Sequence, residues 1–200
     1  MRAPLHDLHA SNLLTYGSLA AAVTAMAASA GLSNTALAGC ALALAAIMDA
    51  FDGRFARLFS RSPRQAQLGR ELDSLVDAVT FGVAPVVVIS TRFPADGPTA
   101  VFCWFIAGFY VLAVVTRLAF YNVQEDEERF VGIPTPAAAL VCCTSLLLPS
   151  PAWAACWPLA LSGALMIAPL PIARPRARGL SLFAAWAASL AVTFGTQAIR

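Results

Sequence analysis

The chain has 200 residues, 59% of them apolar and only 12% charged, with a mean hydropathy of +0.72. A water-soluble domain of this length is nearer half apolar and a quarter charged, so this composition excludes that class and points to one membrane-embedded domain over residues 1–200. The net charge of +2 gives no electrostatic basis for nucleic-acid binding, and no nucleic-acid partner is expected.

A helix needs about 20 apolar residues to cross a bilayer core. Seven candidate blocks occur in chain order, at 13–30, 35–59, 72–90, 98–121, 135–148, 152–172 and 180–199. The fifth is short and runs into the Pro149/Pro151 turn, so about six to eight spans are expected, in an all-α polytopic helix bundle. The first block is long enough to be a retained helix rather than a cleaved signal peptide. Every basic residue apart from the two histidines is Arg. Arg61, Arg64 and Arg70 follow the second block, Arg129 the fourth, and Arg174, Arg176 and Arg178 the sixth, whereas the opposite connections carry only Arg92. Retention of Arg on the cytoplasmic side then predicts a cytoplasmic N-terminus. The blocks are rich in Ala and Gly, which let helices approach closely in lipid.

The chemistry concentrates between residues 48 and 85. Asp49 and Asp52 are three positions apart at the end of the second block, and Ala56 falls on the same helical face. Asp73 and Asp77, four apart, share a face of the third. A connecting loop of about a dozen residues makes the two helices antiparallel neighbours, and both acidic pairs lie near the cytoplasmic boundary at similar depth. Four clustered carboxylates repel one another, and each costs about 2.5–3.5 kcal/mol at the centre of a membrane helix. Their oxygens are hard ligands suited to Mg²⁺, Mn²⁺ or Ca²⁺, and two such ions would neutralise the group and clamp a pyrophosphate. The competing reading pairs the aspartates with Arg54, Arg57, Arg61 and Arg70 as a solvated face. Gly53 costs up to about 1 kcal/mol inside a helix, which suggests close approach of a ligand or of another helix. Arg57 is placed to meet a phosphate.

These residues resemble the CDP-alcohol phosphatidyltransferase family, whose pattern is D-x-x-D-G-x-x-A-R, a spacer of eight, then G-x-x-x-D-x-x-x-D. Asp49, Asp52, Gly53, Ala56 and Arg57 match the first half, and Gly69, Asp73 and Asp77 match the second. The spacer here holds eleven residues, which leaves the register after Arg57 open, although added loop length is cheap in closure entropy. Within the family, the stretch GRELDSLVDAVTFGVAP at 69–85 is most similar to the branch that uses L-serine as acceptor. RLAFYNV at 117–123, GIPTPAAA at 132–139 and NLLT at 12–15 are also similar to that branch. The resemblance implies a phosphatidyl transfer from CDP-diacylglycerol to a small alcohol, serine first, with release of CMP. It also implies Mg²⁺ or Mn²⁺, two ions, held by Asp49, Asp52, Asp73 and Asp77. Asp77 would act in addition as general base on the acceptor hydroxyl. Asp52, Gly53, Ala56, Arg57 and Gly69 would contact the CDP-lipid, the active site would face the cytoplasm, and a homodimer is among the expectations.

Arg117 lies inside the fourth block, where an ionisable residue is a functional candidate by default. It is expected, with Asn122, to bind the acceptor or a phosphate, against the alternatives of snorkelling or pairing with an acid. Pro134 and Pro136 are expected to shape the entry to the fifth block, residues 125–129 to form a solvated loop, and His6 and His9 to lie at the surface. The five cysteines all sit in apolar blocks and read as buried thiols. Rival readings keep the chemistry with glycerol 3-phosphate or an inositol phosphate as acceptor, or replace it with a cation-binding transporter or an inactive scaffold.

Overall fold

The computed structural model describes residues 8–124, 130–172 and 177–199. His6, the acidic run at 125–129 and the Arg174/Arg176 pair lie outside the described residues.

A 3-10 turn at Ala10–Asn12 leads into α1 (Leu13–Ala30), and the turn at 31–34 reverses the chain into α2 (Thr35–Ala56). Asn34 caps α2, its side-chain oxygen accepting the Leu37 N–H at 2.8 Å. Arg57 closes the helix, two residues before the end of the apolar block. Next come α3 (Pro63–Asp77), a π-helical turn (Ala78–Val83) and α4 (Ala84–Arg92), which form one continuous helix of 30 residues. The remaining helices are α5 (Gly97–Val123), α6 (Thr135–Ser145), α7 (Ala152–Ala155), α8 (Trp157–Ile167) and α9 (Ala177–Ala198). Two short strands, β1 (Phe130–Val131) and β2 (Pro171–Ile172), pair antiparallel and tie the α5–α6 connection to the α8–α9 connection.

The start of α3 corrects the sequence-based expectation. The helix begins at Pro63 rather than at residue 72, so the α2–α3 loop is about half the expected length. Ser62 and Gln65 form a reciprocal capping box: the Ser62 hydroxyl accepts the Gln65 N–H at 3.2 Å, and the Gln65 side chain accepts the Ser62 N–H at 3.0 Å. Pro63 follows at the first helical position, where its missing N–H costs nothing. Hydropathy finds only the membrane-embedded part of such a helix, because its first turns are polar.

Among the described residues, five helices are long and apolar enough to cross a membrane, and two further apolar segments, Thr135–Ser145 and Ala152–Ile167, are shorter. At 1.5 Å per residue α6 is about 16 Å long, well short of a bilayer core, as the fifth block suggested. The interior is built from small residues: Ala22, Ala25, Ala38, Ala43, Ala45 and Ala46 are fully buried, whereas Leu13, Trp104, Phe105, Leu112 and Leu182 face outward. Lipid is as apolar as Leu, so the helices gain from close backbone approach rather than from hiding large side chains. α2 packs between α1 and α9, and α5 packs on α8. At Gly39 a Cβ would stand 2.7 Å from the Phe194 ring, and at Gly163 one would stand 2.9 Å from Phe109. The architecture is a polytopic helical membrane bundle.

Candidate metal and phosphate site

The antiparallel arrangement of α2 and α3 brings the two acidic pairs into register. Asp49 is in hydrogen-bonding contact with Asp77, and Asp52 with Asp73. Asp49, Asp52 and Asp73 each present a carboxylate oxygen, and these lie within 4.8 Å of one another. Asp77 is outside that trio and meets it through Asp49. All four are half-buried. The charged groups that bear most closely on Asp49, Asp73 and Asp77 are the other aspartates. For Asp49, Asp73 and Asp77 these neighbours favour the clustered reading over pairing with loop arginines. Carboxylates held this close to one another form a donor set for hard divalent ions, so the residues present fit the metal that the sequence pattern implies.

An open cleft of about 260 Å³ adjoins the trio. Asp52 and Asp73 form its acidic wall, Arg57, Arg61 and Arg70 its basic wall, and Gly53, Ala56 and Gly69 part of its floor. A Cβ added at Gly53 would meet nothing within 4 Å. Helix packing therefore does not require glycine there, and the open space belongs to the cleft. Gly69 is different, since a Cβ would come 3.2 Å from the Asn12 side-chain oxygen, and its smallness lets α3 approach the N-terminal turn. Carboxylates on one side and guanidinium groups on the other make the cleft suited to a metal-bound pyrophosphate.

The N-terminal turn supplies residues that sequence reasoning did not place in the site. Ser11, Asn12 and Thr15 line the cleft. The Thr15 hydroxyl donates to Asp52 Oδ2 at 3.1 Å, and Asn12 Nδ2 is buried without a partner. The NLLT stretch was the available signal. Arg61 and Arg70, read from sequence as topology markers, also belong to the cleft wall.

Arg117 is not brought into this cleft. It lines a second cavity, of about 230 Å³, between the end of α5 and the end of α8, walled by Phe120, Tyr121, Val131 and Met166 among others. The side chain is 8% exposed, and its Nε and Nη2 are buried without hydrogen-bond partners. The guanidinium sits 4.5 Å over the Tyr121 ring and within electrostatic reach of Asp77. Tyr121 is held in turn by Val131, whose N–H it accepts at 2.6 Å and whose carbonyl it donates to at 2.8 Å. Asn122 accepts the Ser74 hydroxyl at 2.9 Å, fastening α5 to the turn of α3 between the two aspartates.

Fold and site together define an integral membrane protein with a cluster of aspartates beside an open cleft lined by three arginines. The CDP-alcohol phosphatidyltransferase family profile matches residues 8–191, and the chain belongs to that family. A Mycobacterium tuberculosis protein named CDP-diacylglycerol–serine O-phosphatidyltransferase is 40% identical over 107 residues, covering 50% of this chain and 35% of that protein. Proteins of the same name from Helicobacter pylori and Saccharomyces cerevisiae are 35% identical over 109 residues and 43% identical over 98 residues. Those alignments cover 51% and 44% of this chain, and 42% and 33% of the relatives. The matched segments thus span well under half the length of these relatives.

Proposed function

We propose that the chain transfers the phosphatidyl group of CDP-diacylglycerol to the hydroxyl of L-serine, giving phosphatidylserine and CMP. The observation that carries this reading is the carboxylate cluster, which lines one cavity through Asp52 and Asp73 and reaches Arg117 of another electrostatically through Asp77. One cavity is the cleft with three arginines, suited to the pyrophosphate of the donor. The other holds a buried guanidinium with unpaired donors, suited to a small anionic acceptor such as an amino-acid carboxylate.

Asp49, Asp52, Asp73 and Asp77 would hold two Mg²⁺ or Mn²⁺ ions. Bound there, the metal supplies charge neutralisation at the pyrophosphate and at the departing CMP. Arg57, Arg61 and Arg70 orient the donor phosphates, with Gly53 and Ala56 leaving room for the nucleotide. Arg117 fixes the serine carboxylate, which directs its hydroxyl toward Asp77. Asp77 takes the hydroxyl proton as the oxygen attacks the phosphorus of the diacylglycerol phosphate. One P–O bond forms to serine, and the P–O bond to CMP breaks. The arginines of the α2–α3 connection support a cytoplasmic position for this end of the bundle.

The test is a reconstitution. Purified protein with CDP-diacylglycerol, Mn²⁺ or Mg²⁺ and serine is expected to release CMP and form phosphatidylserine. CMP release only with glycerol 3-phosphate or an inositol phosphate would contradict the acceptor, and cation flux in liposomes without CMP release would contradict the reaction.

A further inference from the structure

The end of the bundle away from the aspartates holds a pair of thiols that phosphatidyl transfer does not use. Cys103 lies on α5, nineteen residues and therefore about 28 Å of helix before Asn122. Cys156 lies at the joint between α7 and α8. That joint breaks the helical hydrogen-bond ladder: the Cys156 N–H goes to the Ala154 carbonyl, not to Ala152. The Ala152 carbonyl is taken up by the two sulfurs instead. Cys156 Sγ donates to it at 3.2 Å and Cys103 Sγ at 3.6 Å. Two thiols on one oxygen are neighbours, and their side chains are in direct contact.

Cys103 is half-buried and Cys156 is 4% exposed, and a cavity opens beside them. Both cysteines line a cavity of about 160 Å³ under the α4–α5 turn, whose walls include Phe93, Pro94 and Trp104. Trp104, Trp153 and Trp157 are all more than half exposed around it. Tryptophans cluster at the membrane–water boundary, so the pair lies at headgroup depth. The Phe102 ring packs edge-on against Trp157 at 6.4 Å, which holds α5 against α8 at this level. Cys142 and Cys143 are buried in the last turns of α6, away from this cavity, where Cys143 Sγ donates to the Gly39 carbonyl on α2.

We infer that Cys103 and Cys156 are a disulfide-forming pair, which staples α5 to the α7–α8 joint on the face of the membrane opposite the aspartates. Each thiol gives up its proton and one S–S bond forms. The two electrons and two protons pass to an external disulfide, either a dithiol oxidase or a small-molecule disulfide, which leaves as two thiols. On the positive-inside reading this face is extracytoplasmic, where disulfides persist.

The experiment uses the full-length protein in detergent, reduced and then exposed to oxidised glutathione. Maleimide labelling after denaturation is expected to fall by two thiols per chain. Peptide mapping is expected to find a Cys103–Cys156 link that dithiothreitol reverses, and the oxidised protein is expected to melt higher than the reduced one. Cys103→Ser and Cys156→Ser should each abolish the thiol loss, whereas Cys40→Ser should leave it intact. Undiminished thiol labelling, a link that involves other cysteines or a second chain, or an oxidised form that melts no higher would overturn the inference. Because the readout is covalent and thermal, it stands or falls independently of the catalytic reading.

Discussion

Asp77 links the aspartate cluster to Arg117. It contacts Asp49, and Arg117 lies within its electrostatic reach. In the proposed reaction, a carboxylate there would serve the acceptor without lining the cleft of Asp52 and Asp73. Asp77→Asn keeps the size and removes the proton acceptor. CMP release is expected to fall by about a hundredfold to ten-thousandfold with unchanged helical circular dichroism, and near-normal turnover would remove Asp77 as base. Arg117→Gln removes the buried positive charge. It is expected to raise the serine KM by about tenfold to a hundredfold, the worth of a hydrogen bond to a charged group, while the KM for CDP-diacylglycerol stays unchanged. An equal rise in both would indicate a structural role for Arg117.

At the scale of elements, the continuous helix from Pro63 to Arg92 carries the aspartates on one part and the core-facing Phe81, Val88 and Ile89 on another. The π turn between them starts one residue after Asp77. Pro85 has no N–H to give to the carbonyl four residues back, which belongs to Phe81. The buried Tyr110 hydroxyl on α5 donates to that carbonyl at 2.7 Å. Tyr110→Phe leaves the carbonyl buried without this donor, and a loss of about 1–3 kcal/mol is expected, measurable by denaturant titration in mixed micelles. A variant as stable as the parent would mean that the turn holds itself.

The same element separates what was legible from what was not. The aspartate spacings of three and four place each pair on one helical face, and the short connection makes the helices neighbours, so the cluster could be read residue by residue. The polar start of α3 escaped because hydropathy does not register a polar turn, although Ser62, Pro63 and Gln65 carried a cap signal. Asn12 and Thr15 reach the cleft only because the α1–α2 hairpin folds back on itself, a long-range consequence that no local pattern states. Arg117 was legible as an anomalous charge in an apolar block, but its separate cavity depends on how α8 packs against α5.

The whole molecule has two ends of different chemical character. At one, the α2–α3 connection, the end of α5 and the β1–β2 pairing gather around the carboxylates, with Arg57, Arg61 and Arg70 alongside. At the other, tryptophans and the thiol pair sit at the boundary. Between them an alanine-rich interior lets α1, α2 and α9 pack closely. That packing fixes where α2 presents Asp49 and Asp52, and so links the bundle to its chemistry. The direct test is a Mn²⁺ titration of purified protein followed by electron paramagnetic resonance of the free ion. Saturable loss of the free-ion signal is predicted, reversed by chelator and strongly weakened in Asp52→Asn and Asp73→Asn. A free-ion signal identical to that in protein-free detergent buffer would contradict the account.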